Sequence, residues 1–452
     1  MSRTSTYAAD PGTPALYRKL RPRPNGPSRQ EVKSNQRARL HGATIKAIAE
    51  HGYAATSVAE LCRLAGVSKR TFYEQFRNKE ACFLSTYDRV TTCAVERIVD
   101  TRPARVDWEM GTRAALTGFA HAVVEFPNAA RLALLEALRA GPATLARRDR
   151  ARLDIERVIA SSLDSGTYGA TMPVITGIVC GVERTMRVCL RNGRLGQVDQ
   201  LAEELIEWAL PYGSAALVGL SNLTPTRVHS SVPPAPRPRA RHGSSHTRIV
   251  RAAAEIAAED GYAQLTAAKI ARRAGVSEGA FRSAYASPEE CFLDALDRVC
   301  LEALLASVRA ARTAEDPLVG MHRGVVALLE CIALDPVLRN VAFVEVFAAG
   351  PDALECSERF IDRLMDLLSE CLPSSRETPR IALQACSGAL WGLLSRHALQ
   401  GGTDLAGLAH HASYLVLAPL VGGEAAVRAI ASGADELAEG VWETDRTVAP
   451  AV

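Results

Sequence analysis

Ser57–Phe83 reads SVAELCRLAGVSKRTFYEQFRNKEACF, and the rest of the chain is organised around it. Ser57 opens a capping box with Glu60: the hydroxyl takes an N–H three residues on, and the carboxylate returns to the Ser57 N–H. Val58, Leu61 and Leu64 then supply an apolar face. Gly66 stands where a helix must stop and the chain reverse, and Ser68 caps the second helix. That helix turns Phe72 and Phe76 inward. Lys69, Arg70, Thr71, Tyr73, Glu74 and Gln75 are left for a partner. Two short helices about a glycine turn, the second with a polar and basic outer face, outline a helix-turn-helix that reads double-stranded DNA.

Next in the chain comes Asn78-Lys79-Glu80. Asn78 reads as an N-cap, which makes Lys79 the first helical residue. A cation there opposes the positive end of the helix dipole. The placement makes sense if a phosphate docks at the helix start, held by Lys79 and free backbone N–H groups. A solvated surface lysine is the plain alternative.

From Gln36 to Val90 the chain resembles the DNA-binding region of TetR/AcrR-family transcriptional regulators. The resemblance rests on Gly52-Tyr53, Thr56-Ser57-Val58, Ala65-Gly66-Val67-Ser68, Thr71-Phe72-Tyr73, Phe76 and Lys79-Glu80, with gap-free spacing. It implies an all-α protein, in which a small N-terminal reader precedes a larger helical domain for ligand binding and dimerisation. On that reading residues 35–84 are the helix-turn-helix domain and 85–222 the helical domain.

Composition narrows the rest. A length of 452 residues suggests two or more domains, and 48% hydrophobic residues suffice for packed cores. A net charge of +3 does not by itself argue for nucleic acid. Eleven cysteines occur without C-x-x-C pairs or Cys/His groupings at metal spacing, as expected of scattered reduced thiols. No apolar run approaches the ~20 residues needed to span a bilayer, and the N-terminus does not read as a signal peptide, so the cytoplasm is the expected compartment. No Ser/His/Asp set, phosphate-binding Gly loop or metal cluster argues for an enzyme, and no cofactor is expected.

Residues 1–34 read as a basic, Pro-rich arm, either lying along DNA or solvated. Helical patterns then run to residue 217, and no alternating strand pattern occurs. Thr224–His242, TPTRVHSSVPPAPRPRARH, has five prolines and four arginines without apolar periodicity, so 223–243 reads as a linker. Then the pattern restarts. An offset of 209 maps the first motif onto Gly261-Tyr262, Ala274-Gly275-Val276-Ser277, Phe281 and Glu289. The same offset relates Glu136 to Glu345 and Gly141-Pro142 to Gly350-Pro351, then slips by one or two near the ends, with Pro211 facing Pro419. This is a duplicated whole unit, two TetR-like units in tandem, with 244–293 the second reader, 294–435 the second helical domain and 436–452 a tail.

The second repeat keeps the scaffold and changes the surface. Lys69, Arg70, Thr71, Tyr73 and Lys79 become Glu278, Gly279, Ala280, Arg282 and Pro288. Over 66–80, Lys69, Arg70, Arg77 and Lys79 oppose Glu74 and Glu80, a net of +2; over 275–289, Arg282 opposes Glu278 and Glu289, a net of −1. Phosphate contacts add affinity through counterion release, so the first reader is expected to bind DNA more strongly. The second either reads a weaker half-site with Thr266, Ser277, Arg282 and Ser283, or is a structural partner. Either way the operator is asymmetric. Family members are usually homodimers. Here 171–191 with 198–217, and 380–399 with 405–421, would form the pairing surface, giving an intramolecular pseudo-dimer or a homodimer with four readers. The family also implies release from DNA when a small molecule enters the helical domain. Trp108, Phe119, His121, Met172 and Trp208, and His322, Phe343 and Trp391, are the candidates to line such a site. A ligand- or protein-binding scaffold that no longer reads DNA is the competing reading.

Overall fold

A computed structural model describes residues 26–100, 107–162, 172–213, 219–220, 223, 244–370, 379–401 and 405–438. Residues 1–25 of the arm, 224–243 of the linker and 439–452 of the tail lie outside them. The described residues are helical, with no strand among them. They divide into two compact units, one of residues 1–106, 110–158 and 186–203, the other of 107–109, 159–185 and 204–452.

In the first unit, α1 (Arg29–Ala55) begins inside the stretch expected to be an arm. Ser28 and Glu31 form a complete capping box there: Ser28 Oγ accepts from Glu31 N at 3.2 Å and Glu31 Oε2 from Ser28 N at 2.7 Å. A Ser-x-x-Glu signature outweighed the Pro-rich stretch before it. At Gly52 the backbone leaves helical geometry with φ 80° and ψ 163°, a region essentially reserved for glycine, so the regular part of α1 ends at His51. α2 (Val58–Ala65), α3 (Lys69–Gln75) and α4 (Lys79–Asp100) come next. Leu40, Ala43, Ala47, Leu61, Phe72 and Phe76 share one core. A second cluster joins Ile48, Phe83 and Tyr87 to Leu132 and Ala137 of the next segment, α6 (Pro127–Leu134) and the turn after it. α5 (Trp108–Glu125), α7 (Pro142–Ser162), α8 (Met172–Arg191) and α9 (Val198–Ala209) complete the first repeat.

The second unit repeats this plan in α10 (Ser245–Asp260), α11 (Ala267–Ala274), α12 (Glu278–Ala284) and α13 (Pro288–Ala311). Its larger domain comprises α14 (Pro317–Leu334), α15 (Pro336–Asn340), a π-turn at Val341–Glu345, α16 (Val346–Ala349), α17 (Pro351–Ser369), α18 (Arg380–Leu399) and α19 (Ala409–Val421). α20 (Gly423–Ala438), which the sequence pattern did not separate out, packs against α14 and α19. Contrary to the expectation that no apolar run approaches the length of a span, α14 is apolar enough by length and composition to cross a bilayer, and most of its residues are buried within the protein.

This unit also contains the end of the first repeat. Tyr212 donates to the Leu415 carbonyl at 2.7 Å, Tyr414 to the Pro211 carbonyl at 3.2 Å, and Trp208 Nε1 to Cys386 Sγ at 3.4 Å. Ten cysteines among the described residues are free thiols, and burial pushes Cys82 up to about 11 and Cys386 to about 12.

Candidate nucleic-acid interface

Each reader is built by local rules that the sequence carries twice. Gly66 sits at φ 61° and ψ 42°, and Gly275 at φ 64° and ψ 41°; both end their helix in the left-handed region. An arginine on the first helix of each repeat reaches that glycine's carbonyl, Arg39 at 3.5 Å and Arg248 at 3.4 Å. Ser57, Ser68, Thr266 and Ser277 are N-caps whose hydroxyls accept backbone N–H groups at 3.0–3.2 Å. They hold the helix starts before any partner is met. The capping box at Ser57 is half made: Glu60 turns instead to His51 Nε2 at 3.3 Å.

On α3, Phe72 is buried and Tyr73, at 57% exposure, is the largest apolar side chain facing out. Lys69 and Arg70 are exposed beside it, and Arg70 pairs with Glu74 at 3.1 Å. Thr71 Oγ1 lies 3.0 Å from Ser68 Oγ, and Gln75 Nε2 reaches back to the Lys33 carbonyl at 3.2 Å. Tyr73, Lys69 and Arg70 therefore form the outward face, while Thr71 and Gln75 brace it.

Lys79 is placed differently from the sequence expectation. Asn78 caps α4 as foreseen, with Oδ1 accepting from Ala81 N at 2.8 Å. The Lys79 ammonium, however, folds back onto the end of α1. It donates to the carbonyls of Tyr53 at 2.8 Å, Thr56 at 3.0 Å and Ala54 at 3.4 Å, and lies 4.3 Å from the centroid of the Tyr53 ring. These carbonyls left over where α1 breaks outweigh the unfavourable dipole. A phosphate is not needed to explain the lysine.

The second reader keeps the skeleton and mutes the face. Arg282 is tied to Glu278 at 3.1 Å, and Ser283 Oγ donates to the Gly279 carbonyl of its own helix at 2.9 Å. Ser287 caps α13 and Pro288 stands at its first position. No ammonium stands in the place of Lys79; the corner closes instead as a 3₁₀ turn, with Leu265 N donating to the Tyr262 carbonyl at 3.0 Å.

The glutamates matched by the repeat offset, Glu136 and Glu345, acquire a role only in the folded protein. Glu136, nearly buried, accepts from Tyr53 N at 2.9 Å, and Glu345 accepts from Tyr262 N at 2.6 Å. In each repeat a carboxylate of the larger domain thus clasps the turn that leads into the reader. A Cβ at Gly52 would stand 3.3 Å from Glu136 Oε2. The signal in the sequence was an acid kept at the repeat offset far from the motif.

The residues named to line a small-molecule site in each repeat have varied surroundings. His121 and Met172 are exposed and Phe119 is half-buried. Trp108 donates to the Ala209 carbonyl at 3.1 Å, and Trp208 packs on α18 through Cys386. In the second repeat Phe343 is core, Trp391 donates to Ser357 Oγ at 3.0 Å, and His322 is fully buried with Nδ1 2.8 Å from Ser413 Oγ. No group of three or more metal-ligating side chains occurs among the described residues.

Residues 41–86 and 249–295 both match the family model described as bacterial regulatory proteins, tetR family. Among solved structures the chain is similar to a TetR family transcription regulator from Marinobacter aquaeolei VT8, at 19% identity over 38% of this chain and 94% of that one, with a TM-score of 0.31. It is similar to the fatty acid degradation regulator FadR from Bacillus halodurans, at 16% identity over 38% and 94%, with a TM-score of 0.34. FadR from Bacillus subtilis in complex with stearoyl-CoA matches at 16% identity over 37% and 96%, with a TM-score of 0.32. No curated protein matches the sequence.

Proposed function

We propose that the chain is a TetR-like transcription regulator built as a tandem, which represses by gripping one asymmetric operator with two unequal readers. The observation that carries this is the outward face of α3: an exposed Tyr73 flanked by exposed Lys69 and Arg70, on a helix anchored by buried Phe72. An aromatic and two cations on a braced helix suit base-edge and phosphate contact in a major groove. The second reader adds a weaker contact through Arg282, whose charge is partly spent on Glu278. The contacts of Trp208, Tyr212 and Tyr414 support pairing of the two repeats within one chain, so a monomer presents both readers in the cytoplasm. A small molecule entering the helical domain then acts through the Glu136 and Glu345 clasps, which tie each reader's entry turn to that domain.

The test is a titration on the DNA upstream of the protein's own reading frame, across a salt series. Tyr73→Ala is expected to abolish specific binding and Arg282→Ala to weaken it modestly. Loss of all salt-sensitive specific binding in the unaltered protein would sink the assignment. A second reading, in which the α10–α13 reader is a structural partner only, is favoured by the internal ties of Arg282 and Ser283; an Arg282→Ala protein with unchanged affinity would establish it.

A further inference from the structure

Within the second unit, α8 and α18 approach each other closely around Gly181 and Gly388. The helix-ending glycines Gly193 and Gly401, at φ 69° and 70°, set an offset of 208 between these helices. By that offset Arg184 corresponds to Gly392 and Cys180 to Gly388. The contacts obey the same exchange: Arg184 packs on Gly388, and Cys180 packs on Gly392. These are the two faces of one pseudo-twofold contact, and each sets a side chain against a glycine.

The glycines have no room for anything else. A Cβ at position 388 would stand 2.9 Å from Arg184 Cβ, and one at position 392 would stand 2.5 Å from Cys180 Sγ. Two first repeats paired in this way would set Arg184 against Cys180 twice and meet both clashes. Two second repeats would set Gly392 against Gly388 twice and leave both holes unfilled.

Charge obeys the same asymmetry. Arg184 is buried, and its guanidinium grips Asp362 of α17 through two bonds of 2.6 and 2.9 Å. It also reaches Ser387 Oγ at 3.1 Å and lies 3.6 Å from buried Glu358. The positions of the first repeat that correspond to Glu358 and Asp362 are Asp149 and Leu153. A first repeat therefore cannot offer another copy of itself the same pair of carboxylates, and a second repeat paired with itself would bury those carboxylates without the arginine. Arg396 donates to Thr176 Oγ1 at 3.0 Å across the same contact, and its counterpart is the apolar Val188.

We infer that this contact is a partner code: the pairing face of the first repeat accepts the second repeat and rejects a second copy of itself. Repulsive and attractive elements act together, as specificity between similar partners requires. The inference rests on the in-chain pairing proposed above, and an interface once shared by identical subunits has here become exclusive.

The test uses the full chain with a protease site inserted in 223–243, cut after folding and weighed by native mass spectrometry over a dilution series. The cut wild-type protein is expected as one complex, one N-terminal with one C-terminal fragment. Gly392→Ala, which drives a methyl group into Cys180, is expected to weaken that complex roughly tenfold or more, and adding Cys180→Gly to restore it to within about threefold. If Gly392→Ala fails to fold, recovery of folding in the double variant supports the code, and no recovery overturns it. Homotypic fragment pairs in near-statistical amounts, or a Gly392→Ala protein that pairs like wild type, would also overturn it. An uncut chain at twice 48.5 kDa would instead remove the in-chain pairing on which the code rests.

Discussion

Replacing Lys79 with methionine keeps the length of the side chain and removes an ammonium that holds three carbonyls of the α1–α2 connection. Hydrogen bonds to a charged group contribute about 1.5–3 kcal/mol when buried. Lys79 is half-buried and its freed carbonyls return to water, so the net loss is at the lower end, about 1–2 kcal/mol including the Tyr53 ring contact. For a unit of this size that lowers the midpoint of its thermal transition by about 2–8 °C. The second measurement is DNA affinity between 50 and 200 mM salt, a range over which phosphate contacts are separated by slope. Because the ammonium faces the protein, the slope of log affinity against log salt is expected to stay unchanged. An Arg70→Ala control, removing a cation of the exposed face, is expected to lower that slope by up to about 0.9 with little change in stability. A Lys79→Met protein with an unchanged melting profile and a slope lower by about 0.9 would refute the strut and restore the phosphate contact.

Other substitutions have outcomes set by the same geometry. Glu136→Gln keeps an acceptor for Tyr53 N but loses its charge, and is expected to cost about 1 kcal/mol and blunt ligand release more than DNA affinity; equal loss of both would remove the clasp from the signalling path. Arg184→Met leaves Glu358 and Asp362 without their cation and is expected to destabilise the second unit by about 3–5 kcal/mol. Neutralising all three, with Glu358→Gln and Asp362→Asn, is expected to recover most of it in chemical unfolding, and no recovery would refute the coupling. Burial, with His410 and Arg323 nearby, holds His322 down at about 3. The unfolded chain takes up that proton first, so stability is fully present above about 6.5 and falls by about 1.4 kcal/mol per pH unit below it. Glu330, raised to about 7 by burial, acts in the opposite sense, losing stability as pH climbs from about 4.5 to 7. The test is therefore the difference between wild type and His322→Gln, whose acid slope is expected to be shallower; identical slopes would contradict a buried neutral imidazole.

Much of each reader could be read from residue order because its causes are local. A serine three residues before a free N–H caps a helix wherever the chain lies. Gly66 and Gly275 alone tolerate the left-handed turn at low cost, and Phe72 and Phe76 fall on one face by helical period. The repeat was legible for the same reason, as was the contrast between Tyr73 and Arg282. Even locally the competition was close. The Pro-rich run before Ser28 suggested an arm to residue 34, while four residues of capping chemistry started the helix at Arg29.

Lys79 and Arg184 mark where residue order stopped being enough. Lys79 looked like a cation awaiting a phosphate or solvent, and nothing in the sequence singled out Arg184. The carbonyls that hold Lys79 lie 23 to 26 residues upstream, and the carboxylate that holds Arg184 lies 178 residues downstream. An ion pair of that separation depends on how several helices pack, and no periodicity encodes it. The residues chosen to line a ligand site in each repeat were open to the same limit, since aromatic character does not say whether a ring meets a cavity, a carbonyl or another helix. Sequence determined two tetR-type readers, their caps and turns, and the asymmetry of their outer faces. Tertiary structure alone decided which cations face inward, which acids clasp the readers, and that glycine meets a side chain at each half of the α8–α18 contact, because those are distances between segments that the chain brings together only on folding.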